Sequence, residues 1–330
     1  MAKLKDHFHI TLNRLEENLS LFKLEDYIRQ CEEEFDARIN EIADRALGDR
    51  NIKVIFISGP SASGKTTSND KLAVSLNSRG VSTLNMSLDD YYLTHEFPTD
   101  DHGRYNYESI STMDIDLIIK HIQDLVSGQE VQMPIFDFLA KEARLRPDGS
   151  RLEEGGILLV EGLHALSPLI TGSIDRNKGL SVYIMPYATL TDDNNLLSYR
   201  DIRIIRRLVR DNLYRGADAL STIDYWPMLD FSEDSDFPIY LENADIYMNS
   251  ILPYEFYVMA PLAKRAMEDS LLDYRMKIID NSRLNKFGGY AQVDLALDTL
   301  YRLYKAVSSI PGINPSFVPD SSLLNEFIKK

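Results

Sequence analysis

Three groups of residues have the types and spacing to do chemistry. Gly59-Pro-Ser-Ala-Ser-Gly-Lys-Thr66 follows the pattern G-x-x-x-x-G-K-[ST] directly after the apolar, β-branched run at 54–58. Glycines at 59 and 64 permit a turn whose successive N–H groups face inward, where they and the N-terminus of the next helix attract polyphosphate. Lys65 can then reach the β- and γ-phosphates, and the Thr66 hydroxyl can bind Mg²⁺. A glycine-rich turn without a ligand is the alternative, and the full pattern behind an apolar strand argues against it. The second group is acidic: Asp89 and Asp90 stand just beyond the strand-like Val81–Ser87, and Glu161 closes the run Ile157-Leu-Leu-Val. The third is basic: Arg203, Arg206, Arg207 and Arg210 fall at i, i+3, i+4 and i+7 and share one helical face, with Ile204, Ile205, Leu208 and Val209 largely on the other. In a chain of net charge -15, such a face repels itself unless an anion binds it, and phosphoryl transfer supplies that anion.

These groups need a sheet to bring them together. A strand at 54–58, a helix over 67–78 and a strand at Val81–Ser87 make a right-handed parallel unit. Ligands gather beyond the carboxyl ends of such strands, so Asp89, Asp90 and Glu161 are expected on the side of the glycine loop. Paired acids in an exposed turn would look the same when judged alone. The run ending at Glu161 reads as a central parallel strand, and its terminal acid falls where phosphate-loop enzymes hold a magnesium-directed carboxylate. Val182–Met185 reads as a further strand and Ala244–Met248 as a last one near an edge.

Elsewhere the patterns are plainer. Apolar residues from Phe8 to Leu47 recur at helical spacing, with Gly48 placed to stop the last helix. Packing on the main domain is the favoured role, with dimerisation or partner binding left open. Residues 94–107 read as a surface loop over the site, in which His95 and His102 have no partner at metal-ligand spacing. A helix is expected over 113–127. Segments 131–138 and 145–152 suggest a hairpin whose first arm is an edge because of Pro134. Helix and loop are expected through Trp226-Pro227, then a solvated acidic patch at 233–236, then amphipathic helices over 253–275 and 291–307 and a tail of mixed character after Pro311.

With 330 residues and 44% hydrophobic content the chain can bury a sizeable core. Its acidity argues against a nucleic-acid backbone or an anionic membrane as partner. The single cysteine, Cys31, excludes an internal disulfide or a cysteine-based zinc site and is expected half-buried on a helix. No signal-like apolar core opens the sequence and no run of about 18 apolar residues occurs, so a soluble, cytoplasmic protein is expected.

Taken jointly, GPSASGKTT at 59–67, SLDDYY at 87–92, PIFDF at 134–138, LLVEGLHAL at 158–166, RIIRRLVRDNLYRG at 203–216 and ADIYMNS…YE at 244–255 resemble the uridine kinase and phosphoribulokinase family over about residues 52–265. The resemblance implies an α/β phosphate-loop kinase fold: a parallel sheet flanked by helices, with a hairpin over the substrate, an arginine-rich lid and an N-terminal helical extension. It divides the chain into a helical extension (1–50), a kinase domain (51–265) and C-terminal helices packing on it (266–330). It implies ATP and Mg²⁺ as cofactors. Gly59, Ser61, Ser63, Gly64, Lys65, Thr66 and Thr67, with Arg206, match nucleotide contacts. Thr66, Asp89 and Glu161 match the magnesium shell. Asp89 also matches the base that takes the hydroxyl proton, and Lys65, Arg210 and Arg215 match the groups that close on the triphosphate. Tyr92, Phe138 and Arg207 match the nucleoside pocket.

The departures all concern the acceptor. Glu108 stands where an aspartate usually grips the ribose hydroxyls, Phe136 where a base-reading tyrosine is usual, and Lys141 near the place of a base-reading histidine. Losing a hydroxyl donor loses the matching hydrogen-bond discrimination. The leading expectation is therefore phosphorylation of a nucleoside 5′-hydroxyl, with uridine or cytidine first. A deoxynucleoside, sugar phosphate or vitamin precursor is a second acceptor class, and an ATP-binding regulator without turnover is an alternative of another kind. A nucleoside-like acceptor and ATP are the expected partners, and self-association stays open.

Overall fold

Strands covered by helices on both faces need apolar side chains at every position, and the two continuous apolar runs meet that need. A computed structural model describes residues 7–19, 23–93, 97–137, 140, 142–192, 195–278 and 284–329. Val54–Ser58 and Ile157–Glu161 are buried throughout and lie side by side. Five strands pair in the order Ile246–Asn249, Gly179–Met185, Val54–Ser58, Ile157–Glu161, Thr83–Ser87, each pair parallel. The fold is thus α/β with a parallel central sheet, and the strand expected near 244–248 forms one edge.

Because side chains alternate across a strand, the sheet feeds two cores. Ile55, Ile57, Leu159, Val182 and Ile184 face a core shared with helices Leu24–Leu47, Lys65–Ser78, Tyr199–Arg210 and Glu255–Arg275. Val54, Phe56, Met86, Leu158 and Val160 face a second core with the helix Ile115–Val126. Each such side chain, fully buried, stabilises the fold by about 2 kcal/mol.

Four segments differ from the sequence expectation. Phe8–Thr11 is a strand, parallel to Ala188–Thr191, which in turn pairs antiparallel with Asn195–Leu197. An open strand edge outside the main sheet captures it, and helix begins only at Leu12. The helix Leu24–Leu47 then packs on the helix Lys65–Ser78, with Lys71 and Asp36 paired at 2.7 Å. Cys31 is buried on it, and burial pushes the thiol up to about 12.

The arginine helix is the second difference. Ile202 to Val209 are all buried, arginines included, so the helix has no solvated face along that stretch. Third, Ala219–Asn243 is one helix with Pro227 and Pro238 inside it. Burial of Tyr225, Trp226, Met228 and Leu229 outweighs the roughly 3 kcal/mol cost of an internal proline. Glu233 in this helix is paired rather than solvated. Fourth, the tail after Pro311 sends Val318, Leu323, Leu324 and Phe327 into the first core.

The hairpin forms as Pro134–Asp137 against Glu142–Leu145, with Glu130–Val131 against Ser150–Arg151. Phe138, Lys141 and His95 lie outside the described residues.

Candidate active site

The glycine loop is built by what holds its carbonyls. Arg203 Nε donates to the Ser61 carbonyl at 3.1 Å, Arg206 Nη1 to those of Ala62 and Ser63 at 3.3 and 3.5 Å, Ser250 Oγ to Ser63 at 2.5 Å, and Ser68 Oγ to Gly64 at 2.7 Å. Four successive carbonyls are thus tied to protein donors, and the Ser63 N–H turns back to the Pro60 carbonyl at 3.2 Å. Ala62 holds a positive φ of 59° to complete the curve, a strained conformation for a residue with a side chain. Gly59 is sterically required: a Cβ there would lie 2.0 Å from the Ile184 carbonyl oxygen. Gly64 combines φ of 86° with a contact that would put its Cβ 2.3 Å from Leu323 Cδ1. Inside the loop the Ser63 hydroxyl is buried with no hydrogen-bond partner among the described residues, as a cradle for an oxyanion would leave it. Lys65 Nζ donates to the Pro60 carbonyl at 3.1 Å, and Thr66 is exposed.

Asp89 and Glu161 come from adjacent strand ends. Ser87 and Glu161 are register partners, and Ser87 Oγ donates to Glu161 Oε1 at 2.7 Å. Asp89 follows on the 3-10 turn Leu88–Tyr91. Its carboxylate is open to solvent but stands in a cleft walled by protein. Loss of hydration there raises its pKa, with Lys65 opposing and Glu108 adding to the rise. Burial and then the Asp89 charge push Glu161 up to about 7, again against Lys65. Two crowded carboxylates facing one ammonium form a site short of positive charge. Their oxygens, with the Thr66 hydroxyl, are the hard donors that suit Mg²⁺, so the residues fit that ion. Among the described residues no group of three or more His, Cys, Asp or Glu side chains could hold a metal by itself.

The arginines divide into two sets. Arg206, expected at the nucleotide, is instead fully buried behind the loop, bound to Glu255 through Nε at 2.8 Å and Nη2 at 2.6 Å. Arg203 likewise pairs with Glu233. Both are struts, and protein carboxylates neutralise them without any external anion. Arg207 lies at the loop's front: Nη1 donates to Ser61 Oγ at 2.7 Å, stands 3.7 Å from Glu108 Oε1, and the guanidinium lies 5.5 Å from the Tyr225 ring centroid. Past it the helix changes to a π-helical turn over Asp211–Arg215, ended by Gly216 at a φ of 63°. Arg207, Arg210 and Arg215 all converge on Asp211. Burial works against that carboxylate, but Arg210, Arg207 and Arg215 together hold it below its ordinary range.

The acceptor side is aromatic. Tyr92 Oη donates to the Tyr107 carbonyl at 2.9 Å, and its ring lies 5.5 Å from Phe136 and 6.1 Å from Phe97. Asp90, expected beside the loop with Asp89, serves the hairpin: it accepts from Phe136 N at 3.3 Å and from Arg146 Nη2 at 3.1 Å. His164, three residues past Glu161, is buried between Tyr240 Oη at 2.7 Å and the Glu108 carbonyl at 2.9 Å. Burial lowers its pKa, so it serves as a neutral pin for Glu108. His102 is exposed. Ser87, His164, Arg146, Ser250 and Glu255 were not singled out from sequence. Ser87 and His164 flank strand ends, and Ser250 and Glu255 lie within the quoted stretch at 244–255, so only Arg146 carried no signal there.

A glycine loop backed by a parallel sheet, with acids at neighbouring strand ends and arginines at the rim, defines a phosphate-loop phosphotransferase. The chain belongs to the phosphoribulokinase / uridine kinase family, whose pattern matches residues 54–234. It is 32% identical over 172 residues to the uridine kinase of Limosilactobacillus reuteri (strain DSM 20016), covering 52% of this chain and 70% of that one. With the uridine kinase of Ligilactobacillus salivarius (strain UCC118) it shares 29% over 175 residues, 52% of this chain and 73% of that one. A solved structure titled as a possible uridine kinase from Bacillus stearothermophilus aligns with a TM-score of 0.44 at 17% identity, over 65% of this chain and 99% of that one. Membership makes the protein a kinase, a phosphotransferase with an alcohol acceptor, and implies use of ATP. No helix among the described residues is long and apolar enough to cross a membrane.

Proposed function

We propose that the protein transfers the γ-phosphate of ATP, with Mg²⁺, to the 5′-hydroxyl of a nucleoside, uridine or cytidine first. The observation that carries this reading is the meeting of Asp89, Glu161 and Lys65 at adjacent strand ends beside the carbonyl-tied loop. Loop N–H groups and the Ser61, Ser63 and Thr67 hydroxyls bind the phosphates, and Lys65 bridges β and γ. Asp89 accepts the hydroxyl proton as the sugar oxygen forms its bond to the γ-phosphorus. The bond to the β-phosphate oxygen then breaks and ADP leaves. A raised pKa suits Asp89 to this task, since a carboxylate near its usual value is a weak base at neutral pH. Mg²⁺, when bound, neutralises charge on the β- and γ-oxygens, and Thr66, Asp89 and Glu161 are the residues that would hold it. Arg210 and Arg215 are mobilised from Asp211 onto the charge that develops in flight. Tyr92 and Phe136 line the acceptor pocket, and Arg207 and Glu108 face the sugar.

Uridine and cytidine come first because the curated relatives carry the name uridine kinase. One observation favours a wider acceptor range: Glu108 is already engaged by Arg207, and Phe136 has no hydroxyl with which to read a base. ADP release across ribonucleosides, deoxynucleosides and sugar phosphates separates the acceptors. Asp89→Asn is expected to lose at least about a hundredfold in kcat while ATP still binds. Full activity in that variant would remove the base assignment. ATP binding with no acceptor phosphorylated would favour a regulator.

A further inference from the structure

We infer that Glu326, carried to the glycine loop by the C-terminal segment, sets nucleotide affinity by holding the Thr67 hydroxyl that the phosphates would otherwise engage. The inference rests on the nucleotide-site reading above. The segment lies outside residues 54–234, where the family match is found. Its position is fixed by packing: Val318, Leu323, Leu324 and Phe327 are buried, and Ser322 Oγ meets Tyr254 Oη at 2.9 Å. Phe327 lies beneath the Arg206 guanidinium, 5.2 Å from ring centroid to carbon, and Leu323 fills the space over Gly64. So anchored, the segment brings Glu326 Oε2 to 2.9 Å from Thr67 Oγ1, across a sequence separation of 259 residues.

Thr67 lies in the first turn of the helix Lys65–Ser78, whose N-terminus attracts anions. A carboxylate there answers the same dipole as a phosphate and takes the same hydroxyl proton. The neighbourhood is already acidic. Asp70, raised first by burial, is raised further by the Glu326 charge, and Glu161 feels it after burial and Asp89. An arriving polyphosphate therefore meets a fixed negative charge that competes for one of its contacts and repels it.

The test is ADP binding by calorimetry, without acceptor, on the full-length protein. Glu326→Gln keeps an oxygen that accepts from Thr67 but removes the charge, and is expected to tighten ADP about threefold or more. Glu326→Ala frees the hydroxyl as well and is expected to bind tighter still. Rising salt should narrow the gap between wild type and Glu326→Gln, since screening weakens the repulsion. In a Thr67→Val background the two position-326 variants should become equivalent, because the hydroxyl no longer exists to be freed. Affinity unchanged or weakened in both variants, with thermal midpoints at the wild-type value, overturns the inference and leaves the nucleotide site standing. Wild-type protein that binds no ADP overturns both.

Discussion

The Arg206–Glu255 pair is where the loop's geometry and the fold's stability meet, and Glu255→Gln tests both. The Arg206 side chain is 0% exposed and that of Glu255 2%. The guanidinium donates twice to the carboxylate, once to the Ser250 carbonyl at 2.9 Å, and to the Ala62 carbonyl at 3.3 Å. Glutamine preserves shape and one acceptor but leaves the cation without a counter-charge in a dry site. Breaking such a pair on one side costs about 3–5 kcal/mol, a large part of the roughly 5–15 kcal/mol that holds a protein folded. Urea unfolding followed by fluorescence should show the midpoint fall accordingly. Removing both charges with Arg206→Met and Glu255→Leu should recover most of that stability, because apolar replacement of a buried pair is often neutral or better. Nucleotide affinity should fall in the double variant, since the Ala62 carbonyl then lacks its Arg206 donor and the Ser63 carbonyl keeps only Ser250 Oγ. A cost below about 1 kcal/mol in Glu255→Gln would refute the stability argument. A double variant that binds ADP as wild type does would refute the strut.

Two further outcomes follow from the strand ends. Asp90→Ala releases both Arg146 and the Phe136 amide, so the acceptor KM should rise about tenfold with the ATP KM unchanged; steady-state titration of each substrate decides, and equal rises in both would show that the hairpin is not the element affected. Glu161 sits near 7 in the fold against 4.5 ordinarily, so its contribution to stability is fully present below about 4.5 and lost as pH rises through about 7. Glu161→Gln should therefore stabilise the metal-free protein at pH 8 by up to about 3 kcal/mol and not at pH 4, and an equal effect at both pH values in thermal unfolding would be the contrary result.

What could be read from the sequence was what local spacing encodes. The loop pattern, the apolar runs and the acids closing them placed Lys65, Asp89 and Glu161 together, because a parallel sheet puts all strand ends of one sense on one side. The chemistry hidden from that reading comes from residues far away in the chain. Arg203 finds Glu233 thirty positions on and Arg206 finds Glu255 forty-nine positions on. A four-arginine face looked self-repelling without an external anion; the fold answers it with internal acids, so repulsion is no evidence for a ligand at Arg203 or Arg206. A phosphate-binding role is left to the rim, where Arg207, Arg210 and Arg215 share the carboxylate of Asp211. Three cations set against Asp211 and Glu108 leave positive charge in excess, and Arg215 lies close enough to Asp89 for each to feel the other's charge. Gly64 carries the same lesson in sterics. Its turn was legible from the motif, but the neighbour that packs over it, Leu323, comes from a tail that no local pattern connected to the loop. The C-terminal segment thus constrains the phosphate loop at Gly64, at Thr67 and through Phe327 beneath Arg206, so changes in the tail should be felt first in nucleotide binding.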